Sequence, residues 1–445
     1  MMSYIKSPND FRNLISGVNT KVPLINGEYV NAINFDNAAT TPPLISVLEE
    51  IMNFSPWYSS VHRGAGYKSQ FSSGFYENAR DVILDFVGGD PNYHSIVFVK
   101  NTTEGINKIS NRLLEKYKDG VVLSTCMEHH SNDLPWRDKY KIDYIAVDHK
   151  GRLSFKDLEN KLSKYDGEVK LVTVTGASNV TGYINDIHKI AKLVHNYGAE
   201  ILVDGAQLVP HAAIDMKKHG VSDAIDYLVF SGHKMYAPFG TGVLIAPKKV
   251  FEKGAPDYSG GGTVELVTHD YIRWNSPPWK DEAGTPNVMG VVAIVASIKI
   301  LQEIGMDNIQ TYESQLMEYT IEGLKRIPDI ELLSDTEDIN NSVSIIPFNM
   351  KEITHEMLAN ILSYEAGIAV RNGCFCAQPY LHKLLKIPNE EIERRIADRT
   401  LPHPGVVRIS FGLYNNYQEI DILLRILYKI SSNKEYYINK YKSID

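Results

Sequence analysis

Two apolar runs of this sequence end in residues suited to covalent and acid–base chemistry. Lys234 follows YLVF (227–230), and Asp204 ends ILVD (201–204). Taken alone, Lys234 is typical of a solvated surface lysine, and Asp204 is typical of a helix N-cap. A partly desolvated lysine at a strand end can act as a nucleophile or form a Schiff base. Because a carboxylate on the same rim keeps a pyridine nitrogen protonated, the pair favours pyridoxal 5'-phosphate as cofactor.

The phosphate of that cofactor needs hydrogen-bond donors. The segment VFVKNTTEGINKI predicts a strand, a short turn and a helix, and helix N-termini bind phosphate through free N–H groups. The candidate side-chain donors are Thr102, Thr103, Ser231 and His233. Simple capping, with Asn101 as N-cap and Glu104 reaching back to it, is the alternative, and both interpretations are compatible.

Histidine and amide side chains supply candidates for contacts with the ring. MEHHSNDLPW contains His129 and His130, and a histidine after a strand can stack on an aromatic ring and transfer protons. Metal binding is the alternative, but no HExxH motif occurs. Asn179, in SNVTGY, has a side chain suited to a ring hydroxyl, although a plain turn residue explains it nearly as well.

The segment RNGCFCAQPY (371–380) contains Cys374 and Cys376, two of the three cysteines of the chain. Three cysteines form no disulfide framework. Cys-x-Cys together with His382 is a weak metal signal. Ser231 to Lys234 matches the S-x-x-K motif of serine β-lactamases, but their S-D-N and K-T-G motifs are absent.

The elements that must position these residues follow from the apolar pattern. Continuous apolar runs separated by helical periodicity predict an α/β fold with helices on both faces of a largely parallel sheet. The runs are SIVFVK (95–100), VVLS (121–124), YIAV (144–147), LVTVT (171–175), ILVD (201–204) and YLVF (227–230). GVLIAP (242–247) follows too closely for a helical crossover, so we predict that it is antiparallel and that the sheet is mixed and seven-stranded.

After a loop rich in Gly, Pro and Trp, a helical pattern begins near Val288 and a smaller α+β domain follows, with strands near 343–348 and 406–411 and a last helix near 418–432. We predict three parts: an N-terminal arm packed on the small domain, a large cofactor-binding domain and a small C-terminal domain that carries the cysteine loop. Their bounds are residues 1–30, 31–283 and 284–445.

Composition restricts the class of partner. The formal net charge of -8 argues against nucleic acid. No run of about 18 apolar residues occurs, so we expect no membrane partner. The N-terminal residues lack the apolar core of a secretory signal, and with the few cysteines this predicts a cytoplasmic location.

Nine short segments, in order, resemble the class V aminotransferase superfamily of fold-type I pyridoxal-phosphate enzymes, and most closely its cysteine desulfurase and selenocysteine lyase branch. They are FDNAATT (35–41), VHRGAGYKS (61–69), NTTEGIN (101–107), MEHHSN (127–132), SNVTG (178–182), VDGAQ (203–207), SGHK (231–234), EAGTPN (282–287) and RNGCFCAQP (371–379). The resemblance covers nearly the whole chain, and the order of the segments is more specific than any one of them.

The resemblance implies a role for each matching position. For the cofactor, it implies Lys234 as the covalent anchor, Asp204 at the pyridinium nitrogen, Gln207 and Asn179 at the ring hydroxyl, His129 stacked on the ring, and Thr102, Thr103, Ser231 and His233 at the phosphate. For the substrate, it implies Arg408, Arg371, Asn37 and Ala38. Thr285 is expected to reach the phosphate of a neighbouring subunit, which implies a homodimer.

The activity implied is transfer of sulfur from L-cysteine, or selenium from selenocysteine, to the nucleophile Cys376, with release of L-alanine when cysteine is the substrate and delivery to a possible protein acceptor. Two features depart from the common pattern. The string G-C-F-C is similar to molybdenum-cofactor sulfurases, and its Cys374 is open to a relay, a regulatory disulfide or a packing role. The relay hypothesis assumes an extended loop, in which residues i and i+2 point alike. The charged insert 386–405 either binds an acceptor, shapes the entrance or is a solvated helix.

Other functions remain open on sequence grounds. An aminotransferase, epimerase or carbon–sulfur lyase of the same superfamily keeps the cofactor without needing Cys376. A sulfur carrier or scaffold with an inactive cofactor site is the alternative from another class, and the intact set of Lys234, Asp204 and His129 argues against it.

Overall fold

A mixed seven-stranded sheet lies at the centre of the computed structural model, which describes residues 8–442. The strands are β1 Lys21–Pro23, β2 Tyr29–Asn31, β3 Ile33–Asn34, β4 His94–Val99, β5 Val121–Thr125, β6 Lys141–Ile145, β7 Val169–Thr175, β8 Glu200–Asp204, β9 Tyr227–Ser231, β10 Gly242–Pro247, β11 Val264–Val267, β12 Ile272–Trp274, β13 Ile330–Leu332, β14 Ile345–Met350, β15 Ile368–Ala369, β16 Arg371–Gly373 and β17 Val406–Ser410. The helices are α1 Pro8–Phe11, α2 Ile45–Phe54, α3 Tyr67–Phe86, α4 Thr102–Arg112, α5 Leu134–Arg137, α6 Phe155–Lys164, α7 Ile187–Asn196, α8 Lys248–Glu252, α9 Val288–Ile304, α10 Met306–Leu324, α11 His355–Ala366, α12 Gln378–Leu384, α13 Asn389–Ala397, α14 Tyr417–Ser432 and α15 Lys434–Tyr441.

The central sheet has the strand order β4-β10-β9-β8-β7-β5-β6. Strand β10 runs antiparallel to both of its neighbours, while β9, β8, β7, β5 and β6 pair in parallel. This confirms the predicted α/β fold, the mixed sheet and the antiparallel strand at 242–247.

One strand lies earlier than the sequence predicts. The run YIAV (144–147) was expected to be the strand, but β6 spans Lys141–Ile145 and pairs from Val121↔Lys141 to Thr125↔Ile145. Because β6 is an edge strand and is only partly buried, polar residues are tolerated in it. A search for continuous apolar runs therefore misplaces it.

Helices cover both faces of the sheet and bury its apolar side chains. On one face, Ile106 and Ile109 of α4 pack with Val229 of β9 and Leu244 of β10 in one buried cluster. This packing places the N-terminus of α4 beside the carboxyl end of β9, and ligands in open α/β sheets bind at such strand ends.

A second, four-stranded antiparallel sheet has the order β13-β14-β17-β16. Its register sets Arg371 of β16 directly opposite Arg408 of β17. Cross-strand partners lie close together, so this sheet brings the two predicted substrate arginines to one place.

The N-terminal residues contact the C-terminal part of the chain. The guanidinium of Arg12 lies 2.6 Å from the carboxylate of Glu419 in α14, and β3 pairs in parallel with β15. Residues 1–7 of the predicted arm and residues 443–445 of the predicted small domain lie outside the described residues. The three domain bounds stay predictions.

The helices within residues 8–442 differ from membrane spans in length or apolarity. In this range no single helix has both the length and the apolarity of a membrane span, and α9 with α10 meets these criteria only as a pair bent by 77°.

Candidate active site

A cavity of about 240 Å³ opens at the carboxyl ends of β7, β8 and β9. The N-terminus of α4, the turn that carries Lys234, and the cysteine loop 374–377 complete its walls. The predicted site residues that line it are Ala38, Thr102, Thr103, His129, Asn179, Asp204, Gln207, Ser231, His233, Lys234, Arg371, Cys376 and Arg408. Residues that are distant in sequence therefore share one cavity.

Lys234 and Asp204 interact electrostatically across this cavity. Asp204 is 2% exposed, and its carboxylate accepts a hydrogen bond of 2.9 Å from the N–H of Ala206. Burial lowers the pKa of Lys234 to about 8, and the charge of Asp204 opposes that shift. Burial likewise raises the pKa of Asp204, while the N–H of Ala206 and the charge of Lys234 lower it.

The lysine lies in a 3-10 turn, Gly232–Lys234, which the segment FDNAATT holds in place. The carbonyl of His233 accepts hydrogen bonds of 3.0 Å from the N–H of Thr41 and from the hydroxyl of Thr40. A Cβ at Gly232 would lie 3.0 Å from the carbonyl oxygen of Thr241. The turn thus requires a very small residue just before His233 and Lys234.

The N-terminus of α4 and a ring of hydroxyls form a cradle suited to a phosphate. The amide oxygen of Asn101 caps α4 by accepting the N–H of Glu104 at 3.0 Å. The hydroxyls of Thr102 and Ser231 are 2.7 Å apart, and those of Thr103 and Ser131 are 2.6 Å apart. Capping and phosphate binding are thus compatible in one helix terminus.

His129 is neutral in this site. Its Nδ1 accepts a hydrogen bond of 3.1 Å from the N–H of Ser131, so the remaining ring proton lies on Nε2. Burial lowers the pKa of His129 to about 3, and the positive charge of Lys234 contributes. A neutral imidazole on the cavity wall suits stacking on an aromatic ring.

Gln207 carries a buried polar atom that has no partner among the described residues. Its Nε2 donates to the carbonyl of Ala38 at 2.8 Å, while Oε1 is left without a hydrogen bond. A buried amide oxygen of this kind needs a hydrogen-bond donor, which a bound molecule can supply. With the amine of Lys234, the carboxyl of Asp204 and the cradle at α4, it fits pyridoxal phosphate.

Two arginines and one carboxylate form the other side of the cavity. Arg408 is 3% exposed and donates to the carbonyl of Asn179 at 2.8 Å and to Asp36 at 3.1 Å. Arg371 lies 3.7 Å from the second oxygen of Asp36. Burial lowers the pKa of Arg408 to about 10, against the charge of Asp36. One carboxylate thus partly balances two guanidinium groups, which leaves net positive charge for an anionic substrate group.

The cysteine loop has a bent backbone, so the premise of an extended loop is wrong. Phe375 and Cys376 adopt left-handed φ values of 53° and 55°. Cys376 is exposed and lines the cavity, whereas Cys374 is partly buried and packs against the hydrophobic core. Because the chain reverses between them, residues i and i+2 do not point alike, and the two thiols have different surroundings.

Two hydrogen bonds and a ring contact hold this loop. The amide nitrogen of Asn179 donates to the carbonyl of Phe375 at 2.7 Å, and the N–H of His130 donates to the carbonyl of Cys376 at 2.6 Å. The guanidinium of Arg408 lies 4.7 Å from the centroid of the Phe375 ring. The amide nitrogen of Asn179 is therefore engaged with the loop rather than open to a ring hydroxyl.

Two predicted residues lie outside the cavity lining. Asn37 is fully buried and donates to the carbonyl of Ser410 at 3.0 Å, next to the strand of Arg408. Thr285 lies at a separate depression of about 370 Å³, with Tyr258 and Lys100. The predicted contacts of Asn37 with substrate and of Thr285 with a neighbouring subunit stay predictions.

Sequence reasoning missed several residues of the site. Asp36 pairs with both arginines, Ser131 holds His129 and Thr103, and Phe375 covers Arg408. Each lies inside a segment that the sequence singled out, FDNAATT, MEHHSN or RNGCFCAQP. Across residues 8–442, no group of three or more His, Cys, Asp or Glu side chains is arranged to hold a metal ion.

Comparisons with known proteins agree with this geometry. The profile of the family described as "Aminotransferase class-V" matches residues 33–423. The chain is 34% identical to a cysteine desulfurase of Haloferax volcanii over 88% of each protein, and 35% identical to a probable cysteine desulfurase of Pyrococcus abyssi over 89% of this chain and 93% of the relative. The apo structure of a cysteine desulfurase from Thermococcus onnurineus superposes with a TM-score of 0.84 at 30% identity, over 97% of this chain and all of that one.

Proposed function

Because the chain belongs to the aminotransferase class-V family, in its cysteine desulfurase branch, we propose that it transfers the sulfur of L-cysteine to Cys376 and releases L-alanine. Pyridoxal phosphate is the cofactor of this family. The observation that carries the proposal is the position of Cys376, which lines the same cavity as Lys234, Asp204 and Arg408. A thiol in that position is needed for sulfur transfer but not for transamination.

The chain's own residues bind the substrate and move its proton. Arg408, aided by Arg371, binds the substrate carboxylate, as suits a planar guanidinium. Bound pyridoxal phosphate supplies an electron sink for the substrate α-carbon. Lys234 takes the α-proton, because its lowered pKa, about 8, gives a useful fraction of free amine near neutral pH.

Cys376 performs the sulfur step. Its thiolate attacks the substrate sulfur, the carbon–sulfur bond breaks with its electron pair left on the substrate carbon, and a persulfide remains on Cys376. Protonation of that carbon completes alanine. The loop contacts with Asn179 and His130 hold the thiol over the cavity, and a loop is able to carry the persulfide outward afterwards.

Incubation with L-cysteine tests the proposal. We expect alanine release and a mass increase of one sulfur on the peptide that contains Cys376, both lost in Cys376→Ser. Cys126→Ser is the matched control, because Cys126 does not line the cavity, and it should keep full activity. Pyruvate formation that survives Cys376→Ser would instead favour a carbon–sulfur lyase, and mercaptopyruvate formation would favour an aminotransferase.

We also propose that the active form is a homodimer. Large apolar side chains are exposed together on α2, α3 and the turn between them, where the ring centroids of Trp57 and Phe71 lie 5.3 Å apart. The hairpin β11–β12 exposes Val267 and Ile272. Exposed apolar patches of this kind are typical of protein interfaces, which supports a contact between two copies.

A further inference from the structure

The charged insert 386–405 forms one wall of a groove that is separate from the active-site cavity. This groove, here called the insert groove, has a volume of about 530 Å³ and lies between α5, α12 and α13. Ile396 of α13 is 76% exposed and Leu134 of α5 is 54% exposed, and both line it. An exposed apolar strip with a polar rim is typical of an interaction site.

Positive charge surrounds this strip. The guanidinium of Arg395 contacts Glu391 at 2.6 Å through one nitrogen, while its Nε and Nη1 are buried without a hydrogen bond within the described residues. Arg399 is exposed and forms no ion pair with any other residue between positions 8 and 442. Burial, together with the charges of Arg395 and His403, lowers the pKa of His382 on the same wall. Asp133 also lines the groove, but it is paired with Arg137 of the same lining, so the charge that remains in the groove is positive on a protein of net charge -8.

Hydrogen bonds connect the insert groove to the cysteine loop. His130 lines the groove, and its N–H donates to the carbonyl of Cys376 at 2.6 Å. The ring Nε2 of His130 accepts the N–H of Gln378, which also lines the groove, at 3.3 Å. A molecule bound in the groove thus lies beside the backbone that carries the reactive thiol.

We propose that the insert groove binds an acidic segment of the protein that accepts sulfur from Cys376. An apolar side chain of that segment packs on Ile396 and Leu134, and its carboxylates pair with Arg395 and Arg399. The inference rests on the proposed desulfurase function. Because the rest of the chain is acidic on balance, the groove also orients such a partner as it approaches.

The transfer step needs no further reactant. The acceptor thiolate attacks the outer sulfur of the Cys376 persulfide, and the bond between the two sulfurs breaks. The acceptor leaves as the persulfide, and the thiolate of Cys376 takes up the proton that the acceptor thiol released. Sulfur, protons and electrons therefore balance without an oxidant or reductant.

Two synthetic thiol peptides test the inference with the complete holoenzyme. One carries glutamates and a leucine beside a cysteine, and the other has lysines in place of the glutamates. We expect the acidic peptide to be persulfidated with a kcat/KM at least about fivefold higher than the basic one, because glutamates attract and lysines repel the guanidinium groups of Arg395 and Arg399. The advantage should shrink between about 0.1 M and about 1 M salt, where screening is much stronger.

Arg399→Glu and Ile396→Asp should each remove most of the preference for the acidic peptide. Turnover with L-cysteine and a small reductant such as dithiothreitol should stay unchanged, which separates this inference from the proposed function. Arg425→Glu, the same charge change on an exposed residue of α14, is the matched control and should keep the preference.

Equal rates for both peptides, or an unchanged preference in Arg399→Glu, would overturn the inference while leaving the desulfurase function intact. A change of oligomeric state in Arg399→Glu, measured by light scattering, would also overturn it, because the groove would then be a contact between two copies of this chain.

Discussion

Lys234 combines two requirements that conflict in water. In the proposed reaction it is free of its proton when it binds a carbonyl carbon or removes an α-proton, yet it also lies close to charged groups. Burial meets the first requirement by disfavouring the ammonium, which lowers the pKa of Lys234 to about 8. Asp204 keeps that shift moderate, because its negative charge stabilises the ammonium.

The reactivity of Lys234 should therefore rise at a lower pH than that of an ordinary lysine. Only the neutral amine reacts with acetic anhydride, so in the cofactor-free chain we expect its acylation rate to climb with pH around a midpoint near 8. Asp204→Asn removes a charge that favours the ammonium, and the midpoint should fall further. Mass spectrometry of the Lys234 peptide, with an exposed lysine as internal reference, measures both. A midpoint near the usual value for lysine, about 10.4, would contradict the burial argument.

At the scale of residues, the sequence was informative wherever a side chain follows a buried strand. The sequence predicts both Lys234 and Asp204, because Asp204 ends such a strand, Lys234 lies just past another, and strand ends of a parallel sheet meet at one edge. Asp36 was missed, since its partner Arg408 lies on the second sheet and no local pattern reveals that pairing. The engagement of Asn179 with the carbonyl of Phe375 was missed for the same reason.

Among the elements, α4 has the tightest packing constraint near the cavity, and its N-terminus forms part of the proposed phosphate cradle. The helix reaches the sheet at Gly105, where a Cβ would lie 2.5 Å from Cγ1 of Val229 and 3.5 Å from Cγ2 of Val99. Both neighbours are β-branched and stiff at χ1. An alanine at this position would therefore push α4 away from the sheet rather than be absorbed by a rotamer change.

Gly105→Ala should accordingly weaken both the fold and the binding of cofactor. We expect a loss of about 1–3 kcal/mol in the free energy of unfolding, as for other overpacked cores. The Kd of pyridoxal phosphate, measured by absorbance titration, should rise together with it. Asn111→Ala, at an exposed position of the same helix, is the matched control, since alanine is the better helix former and the change adds no atom near the sheet. Equal stability of the two variants would disprove the close approach of α4.

The elements also show where pattern reading fails. Continuous apolar runs located the buried strands of the central sheet. The partly exposed edge strand β6 lacks such a run, so the sequence predicts it about three residues too far toward the C-terminus. No local signal in the sequence predicts the bend of the cysteine loop, since neither Phe375 nor Cys376 is a glycine. Both residues adopt left-handed φ values, and contacts with Asn179 and His130, far away in sequence, hold them there.

At the scale of the whole molecule, one chain leaves Thr285 outside the cavity that contains Lys234. Thr285 instead lines a separate depression, whereas Thr103 lies in the same cavity as Lys234. The proposed homodimer explains this difference if Thr285 serves the site of the other subunit. Thr103 then acts in the site of its own chain, whereas Thr285 acts in the site of the partner chain. Hybrid dimers built from two different variants can measure this difference.

Mixing an inactive variant with one that binds cofactor weakly should therefore raise activity in one pair and not in the other. Lys234→Ala has no covalent anchor, and Thr285→Ala should raise the Kd of the cofactor about tenfold through loss of a hydrogen bond to a charged group. After subunit exchange at limiting cofactor, a hybrid dimer holds one site with both Lys234 and Thr285 intact, so alanine production should reach about a quarter of the wild-type rate. Lys234→Ala mixed with Thr103→Ala should gain nothing, since Lys234 and the altered Thr103 stay in the same cavity. If both mixtures remain at their starting activity while an affinity tag on one variant co-purifies the untagged other, which shows that subunits exchange, Thr285 does not act on the partner's site.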